Sequence, residues 1–188
     1  MSRAAVLIDL GFFSKVLKFC FGEPRVDFEK LSETLCEGRE RFRTYVYDCM
    51  PYQSNPPTQQ ERERYGKVDS FMNHLRKLNR FQIRLGRLQY IPQRTPPFMQ
   101  KRVDVHLAVD LVRMSWGKQI DTAVLVGGDS DYVPAVMAAK DAGVLTILYY
   151  RMCYDKNGKL KAKASDELMA ACDECREIDQ NLIDKVTI

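Results

Sequence analysis

No stretch of about 20 apolar residues runs through this chain, which excludes a membrane-spanning helix. The opening MSRAAVLIDLGFF does not read as a signal peptide, because Asp9 breaks its apolar run and no small-residue cleavage site follows. Without a secretory signal, the six cysteines at positions 20, 36, 49, 153, 172 and 175 are expected as free thiols in the reducing cytoplasm. Cys172 and Cys175 make a single CxxC. No second CxxC or HxxxH accompanies it, so a zinc site lacks ligands and ordinary packing is the simpler role. Only two histidines occur, His74 and His106, both in helical stretches. A Ser-His-Asp or Cys-His device needs one at a strand end, so nucleophilic catalysis of that kind has little to build on. Neither GxGxxG after the first strand nor GxxxxGK followed by Ser or Thr is present, which removes the dinucleotide and P-loop readings. Internal repeats and low-complexity segments are absent as well.

What is present is an ordinary globular balance, 45% hydrophobic and 29% charged over 188 residues. That length suits one domain with its own core, so residues 1–188 are expected to form a single unit. Ala4–Ile8, Phe42–Tyr47, Thr122–Val126 and Val144–Tyr150 are short apolar or β-branched runs that read as strands, the first and third buried on both faces. Helical spacing covers Phe12–Phe21, Asp27–Glu37, Gln59–Leu78, Val105–Trp116, Tyr132–Ala142 and Ser165–Cys172. Phe81–Leu85 and Leu88–Ile91 are two short strand candidates around Gly86. Met50–Pro57 and Pro92–Pro97 are loops, and Asp155–Gly158 is a turn. Strands alternating with helices imply an α/β fold with a central, mainly parallel sheet flanked by helices. Ligands in such folds bind at the carboxyl ends of the strands.

Two buried strands end in acid. The first runs into Asp9, and the later one into Gly127-Gly128-Asp129-Ser130-Asp131. Asp104 opens the helix that follows the basic segment, and Asp110 lies further along it. Each has a plain reading: Asp104 and Asp131 as helix N-caps, Asp9 as a first loop residue, Asp110 as a solvated helix residue, Asp121 as a turn residue. Jointly they suggest more, because a parallel sheet brings both strand ends and the helix start to one edge. Two carboxylates 4 Å apart repel by about 4 kcal/mol at an effective dielectric near 20. Gathering three or four therefore calls for a hard divalent ion, Mg²⁺ or Mn²⁺, which takes oxygen ligands. Gly127 and Gly128 would let backbone and ligand approach closely.

Positive charge is concentrated elsewhere. The net charge is +4, yet Arg76–Arg102 holds eight basic residues and no acid, which leaves the remainder of the chain at −4. This stretch, loop-rich at about 76–102, offers Arg80, Arg84, Arg87, Arg94, Lys101 and Arg102 to a phosphate backbone. Phe81, Tyr90 and Phe98 are interleaved with them as stacking surfaces for unpaired bases. So broad a basic surface argues against a small phosphate ester as substrate.

The order Lys101-Arg102-Val103-Asp104-Val105, Leu107-Ala108-Val109-Asp110-Leu111, then Ala123-Val124-Leu125-Val126-Gly127-Gly128-Asp129-Ser130-Asp131-Tyr132-Val133-Pro134 resembles the NYN domain family of the PIN-like nuclease superfamily, in particular its LabA-type branch. The strong match spans about residues 101–148. The resemblance implies a Rossmann-like PIN fold and an acidic Mg²⁺ or Mn²⁺ site. It also implies cleavage of RNA phosphodiesters by a metal-activated water, in the cytoplasm, with RNA as partner and any homo-oligomer or protein partner left open. Asp9, Asp104, Asp129 and Asp131 match the family's acidic positions as catalytic and metal-binding residues. Asp110 matches a further acid nearby, and Ser130 is placed to orient a carboxylate or contact phosphate. One position departs. The family often carries DGxN after the first strand, and here Phe12 stands where the Asn would be. That removes a polar group from the edge of the site and supports a second reading, a catalytically weak or inactive RNA-binding regulatory module on the same fold.

Overall fold

A computed structural model describes residues 2–95 and 97–188, and only the backbone of Gln100. Met1, from the opening stretch, and Pro96, from the expected Pro92–Pro97 loop, lie outside it. Nine strands and seven α-helices are present among the described residues: β1 (Arg3–Asp9), α1 (Leu10–Phe21), α2 (Phe28–Cys36), β2 (Glu40–Cys49), α3 (Gln59–Lys77), β3 (Phe81–Tyr90), β4 (Phe98–Lys101), α4 (Val103–Trp116), β5 (Thr122–Val126), α5 (Val133–Asp141), β6 (Leu145–Tyr150), β7 (Cys153–Tyr154), β8 (Leu160–Ala162), α6 (Asp166–Ala171), β9 (Glu174–Glu177) and α7 (Gln180–Val186).

Seven strands form one sheet in the order β4-β3-β2-β1-β5-β6-β9. All neighbours are parallel except β4, which runs antiparallel to β3. The chain builds outward from β1 through β2 and β3, then returns through α4 to place β5 on the other side of β1. Strand order therefore reverses between β1 and β5, the place where α/β sheets open a crevice at their carboxyl ends.

The apolar run of β1 makes sense in this position, since alternate residues face different cores. Ala4, Val6 and Ile8 join Phe13, Leu31, Met72 and Ile183 beneath α1, α2, α3 and α7. Ala5 and Leu7 join Leu107, Leu111, Val136 and Leu168 beneath α4, α5 and α6. Helix starts follow their caps: Asp9 accepts from the Phe12 N–H, Asp27 from Lys30, and Ser165 from Leu168. Thr58 and Glu61 form a reciprocal capping box on α3.

Several expectations are corrected. The two short strands expected around Gly86 are one strand, β3. Gly86 is required because a Cβ there would stand 2.6 Å from the Lys101 carbonyl and from Val103 Cγ2, so a crossing backbone, and not a break, explains the glycine. The segment expected to be loop-rich at 76–102 is mostly β3 and β4. Helix Ser165–Cys172 is not terminal; it is followed by β9 and α7. The six cysteines are not all free, because Cys20 at the end of α1 is bonded to Cys153 in β7, with their Cα atoms 5.7 Å apart. Among the described residues, no helix is long and apolar enough to cross a membrane.

Candidate active site

Asp9 ends β1, and its register partner in β2 is Tyr47. Asp129 and Asp131 follow the end of β5, in and just before a single 3₁₀ turn (Ser130–Tyr132). Asp104 is the second residue of α4, brought to the same edge by an abrupt turn out of β4. Arg102 makes that turn with φ of +76°, a conformation uncommon for a residue with a side chain. Asp104, Asp129 and Asp131 each present an oxygen within 4.8 Å of the others. The N-cap readings do not hold for Asp104 and Asp131: the residue at the cap of α4 is Arg102, and Asp129 is the residue that accepts the Asp131 N–H, at 3.0 Å.

A tyrosine ties this cluster to the first strand. Tyr132 is 0% exposed, and its hydroxyl lies 2.9 Å from Asp9 Oδ2 and 3.2 Å from Asp104 Oδ1. The other Asp9 oxygen accepts the Phe12 N–H at 2.9 Å. Asp9 is thus linked through Tyr132 to Asp104, one of the three close acids. Burial pushes the Asp9 carboxyl above the usual carboxylate range, and the neighbouring Asp104 adds to it. Asp104 is raised by burial first, then by Asp129 and Asp131. The Tyr132 hydroxyl is driven far up by burial and by the two carboxylates beside it.

These groups share a cleft. Asp9, Asp104, Asp129, Ser130 and Asp131 line it together with Lys15, Arg94, Lys161 and Lys163 and with Phe12, Phe98 and Met99. Lys161 is paired with Asp155 at 3.0 Å. Among the described residues, no ion pair engages Lys15, Arg94 or Lys163.

The sequence model of the NYN domain matches residues 3–179. The chain belongs to the NYN domain family. NYN domains are generally nucleases acting on RNA. Curated proteins provide no match. Among solved structures, this NYN domain is similar to a protein of unknown function from Vibrio parahaemolyticus RIMD 2210633. That likeness has a TM-score of 0.65 at 16% identity, over 100% of this chain and 96% of the other, and it concerns the fold alone. An aureusimine biosynthetic cluster reductase domain aligns with 90% of this chain and 41% of its own at 7% identity, but its TM-score of 0.27 is too low to indicate a shared fold.

The basic residues singled out in the NYN domain's sequence do not form one surface. Arg94 lines the cleft. Arg87 and Lys101 are exposed and directly opposite each other across β3 and β4, and Arg102 is exposed at the turn into α4. Arg80 lies at the amino end of β3, away from the cleft, where it binds the Arg41 carbonyl at 2.5 Å and Glu40 at 3.4 Å. Arg84 is consumed by Asp110 at 2.9 Å. Asp110 is itself displaced from its expected role. It is 5% exposed and not solvated, and Arg84, Arg113 and the Tyr47 hydroxyl take its carboxylate at 2.9, 3.0 and 3.2 Å. Phe81 is buried in the core.

Other groups were not anticipated. Tyr132 reads in sequence as an ordinary helix-entry aromatic, and Lys15, Lys161 and Lys163 lie outside the basic stretch. Asp48 follows the apparent end of its strand; burial raises its carboxyl to about 6, with the Asp9 charge contributing. The glycine pair serves the protein itself. A Cβ on Gly128 would fall 2.3 Å from the Lys163 carbonyl and 2.9 Å from the Phe12 ring, and one on Gly127 would fall 3.2 Å from the Tyr132 ring. Phe12 is therefore a packing residue under the Gly128 loop as well as a lining residue of the cleft.

Proposed function

We propose that this NYN domain is a ribonuclease of the LabA-type branch that hydrolyses RNA phosphodiester bonds with Mg²⁺ or Mn²⁺ in the cytoplasm. The observation that carries the reading is the convergence of Asp104, Asp129 and Asp131 within 4.8 Å, in a cleft that Lys15, Arg94 and Lys163 also line.

The donor set fits a hard divalent ion. Bonds of about 2.0–2.1 Å in octahedral geometry put two ligand oxygens roughly 3 to 4 Å apart, so these carboxylates need little movement, or one bridging water, to share an ion. All the donors are oxygens, which suits Mg²⁺ or Mn²⁺. Asp104, Asp129 and Asp131 would hold the ion, with Asp9 supporting through Tyr132. Such an ion, when bound, supplies an acidified water as nucleophile and positive charge beside the phosphoryl oxygens. The chain's own groups position the rest. Tyr132 stands within hydrogen-bond distance of both Asp9 and Asp104 and restricts their rotamers by offering its one hydrogen to either. Lys15, Lys163 and Arg94 draw the phosphate backbone into the cleft that the acids line, and Ser130 is at hand for a phosphate oxygen or a neighbouring carboxylate.

The test is cleavage of a labelled RNA with Mn²⁺ present, with EDTA, and with Asp129→Asn. Cleavage that depends on Mn²⁺ and is lost in the variant is the expected result; cleavage indifferent to both would overturn the reading. The apolar Phe12 favours a second reading, an RNA-binding module without turnover. It predicts affinity that falls steeply with salt and no product with either ion.

A further inference from the structure

Three aromatic rings gather at the outer end of the β3–β4 hairpin. Tyr90 ends β3 and Phe98 begins β4, and the two are register partners across the pair. Tyr52, from the loop after β2, closes the group. The ring centroids are 5.2 Å apart for Tyr52 and Phe98, 5.5 Å for Tyr52 and Tyr90, and 5.5 Å for Tyr90 and Phe98. The planes are tilted by 31° to 50°, so no two of the rings stack face to face.

None of the three belongs to either main core. Tyr90 is 47% exposed, although an aromatic of that size ordinarily buries its ring. The cluster is continuous with the cleft, because Phe98 is both one of the three rings and a lining residue beside Asp104, Asp129 and Arg94. A polyanion held at Lys15, Lys163 and Arg94 would thus run past the half-buried Phe98, with the exposed Tyr90 packed against it. Stacking on such faces is open to a base only when it is unpaired.

We infer that Tyr52, Tyr90 and Phe98 form a stacking platform for unpaired bases, which makes single-stranded RNA the substrate class of this cleft. The inference rests on the ribonuclease reading above and narrows it. The exposed Tyr90 face receives the base, Phe98 links platform to cleft, and Tyr52 backs both rings.

The experiment uses the full chain carrying Asp129→Asn and measures fluorescence anisotropy with three probes: an unstructured 12-nucleotide RNA, the same RNA with abasic positions, and a blunt RNA duplex. Adding Tyr90→Ala should weaken single-strand binding by about tenfold, the order expected for one lost base stack. Tyr90→Phe should restore most of it. The abasic RNA should bind the parent weakly and lose nothing more with Tyr90→Ala, and duplex binding should not change. Tyr90→Leu serves where the alanine variant fails to fold, as judged by its circular dichroism melt, and carries the same expectation. Single-strand binding untouched by Tyr90→Ala or Tyr90→Leu overturns the platform and leaves the ribonuclease reading standing. Equal losses on abasic and intact RNA also overturn it. A parent that binds no RNA, with a wild type that cuts none, overturns both.

Discussion

The Tyr132 hydroxyl stands 2.9 Å from Asp9, a residue 123 positions earlier in the chain. The same oxygen lies 3.2 Å from Asp104. One hydroxyl carries one hydrogen, so two carboxylates compete for it, and the one left over is stabilised by a proton or by a nearby cation. The Tyr132 hydrogen bond by itself favours the charged form of each acid; burial first, and then the charges of the neighbouring acids, hold the carboxyls at both ends of the bridge above the usual range. Tyr132→Phe keeps the ring and removes the bridge. It should cost about 1–3 kcal/mol of stability in EDTA, the usual penalty for leaving a buried polar partner unmatched, and it should slow Mn²⁺-dependent cleavage by loosening both acids. Melting curves and initial rates check this. A variant identical to wild type in both would show that the bridge does nothing for the site.

Metal binding has a readout that needs no RNA. An ion that binds the folded chain alone stabilises it by about 2.7 kcal/mol at a hundred times its Kd. For a chain of this size that is roughly 5–10 °C in Tm. Asp129→Asn should remove most of this gain and, in EDTA, melt slightly above wild type, because one of three crowded charges is gone. Opposite effects on the ion-free and ion-loaded protein would distinguish a metal site from a merely structural acid. Absence of any shift in wild type at several millimolar Mg²⁺ and Mn²⁺ would count against the cluster as a metal site.

Asp48 gives a pH signature. Its carboxyl titrates near 6 in the folded chain, raised mainly by burial, against about 3.9 unfolded. Below pH 4 both states hold the proton. Between 4 and 6 only the unfolded state releases it, so stability is lost as pH rises through that window and stays lost above it. Asp48→Asn retains an oxygen for the Cys49 N–H, which Asp48 accepts at 2.7 Å. Measured in EDTA, the variant should match wild type near pH 4 and exceed it by about 1–3 kcal/mol at pH 8. A constant difference across the range would refute the assignment.

How much of this was readable from residues alone follows from where each signal lies. Asp9 and Asp129 were visible because each ends an apolar run too continuous for a half-exposed strand, and Asp104 because it opens a helix straight after a basic pair. The parallel sheet follows from the same alternation of runs. Tyr132 was not visible, since its meaning depends on a partner at the far end of the first strand, a contact that no local period encodes. Lys161 and Lys163 arrive through the β7–β8 hairpin, whose place is set by its contact with α1. β9 and α7 escaped because ECRE is short and polar, and QNLIDKV spans only two turns. The basic stretch misled for a physical reason. Charge in sequence does not say which residues already have partners, and Arg84 has one.

That partner gives the last prediction. Asp110 sits under β3 with Arg84, Arg113 and Tyr47 around its carboxylate. Removing one member of a buried ion pair commonly costs 3–5 kcal/mol. The side chains of Arg84 and Arg113 are 33% and 56% exposed, so water recovers part of their charge, and about 2–3 kcal/mol is expected for Asp110→Asn. The loss should be independent of Mn²⁺, and Mn²⁺ affinity and cleavage per folded molecule should hold near wild type, because this carboxylate braces β3 against α4 and touches none of the cleft acids. Urea melts with and without Mn²⁺, paired with a titration of the ion, decide it. If the variant kept its stability and lost its Mn²⁺ affinity, Asp110 would return to the metal site and the bracing role would fall.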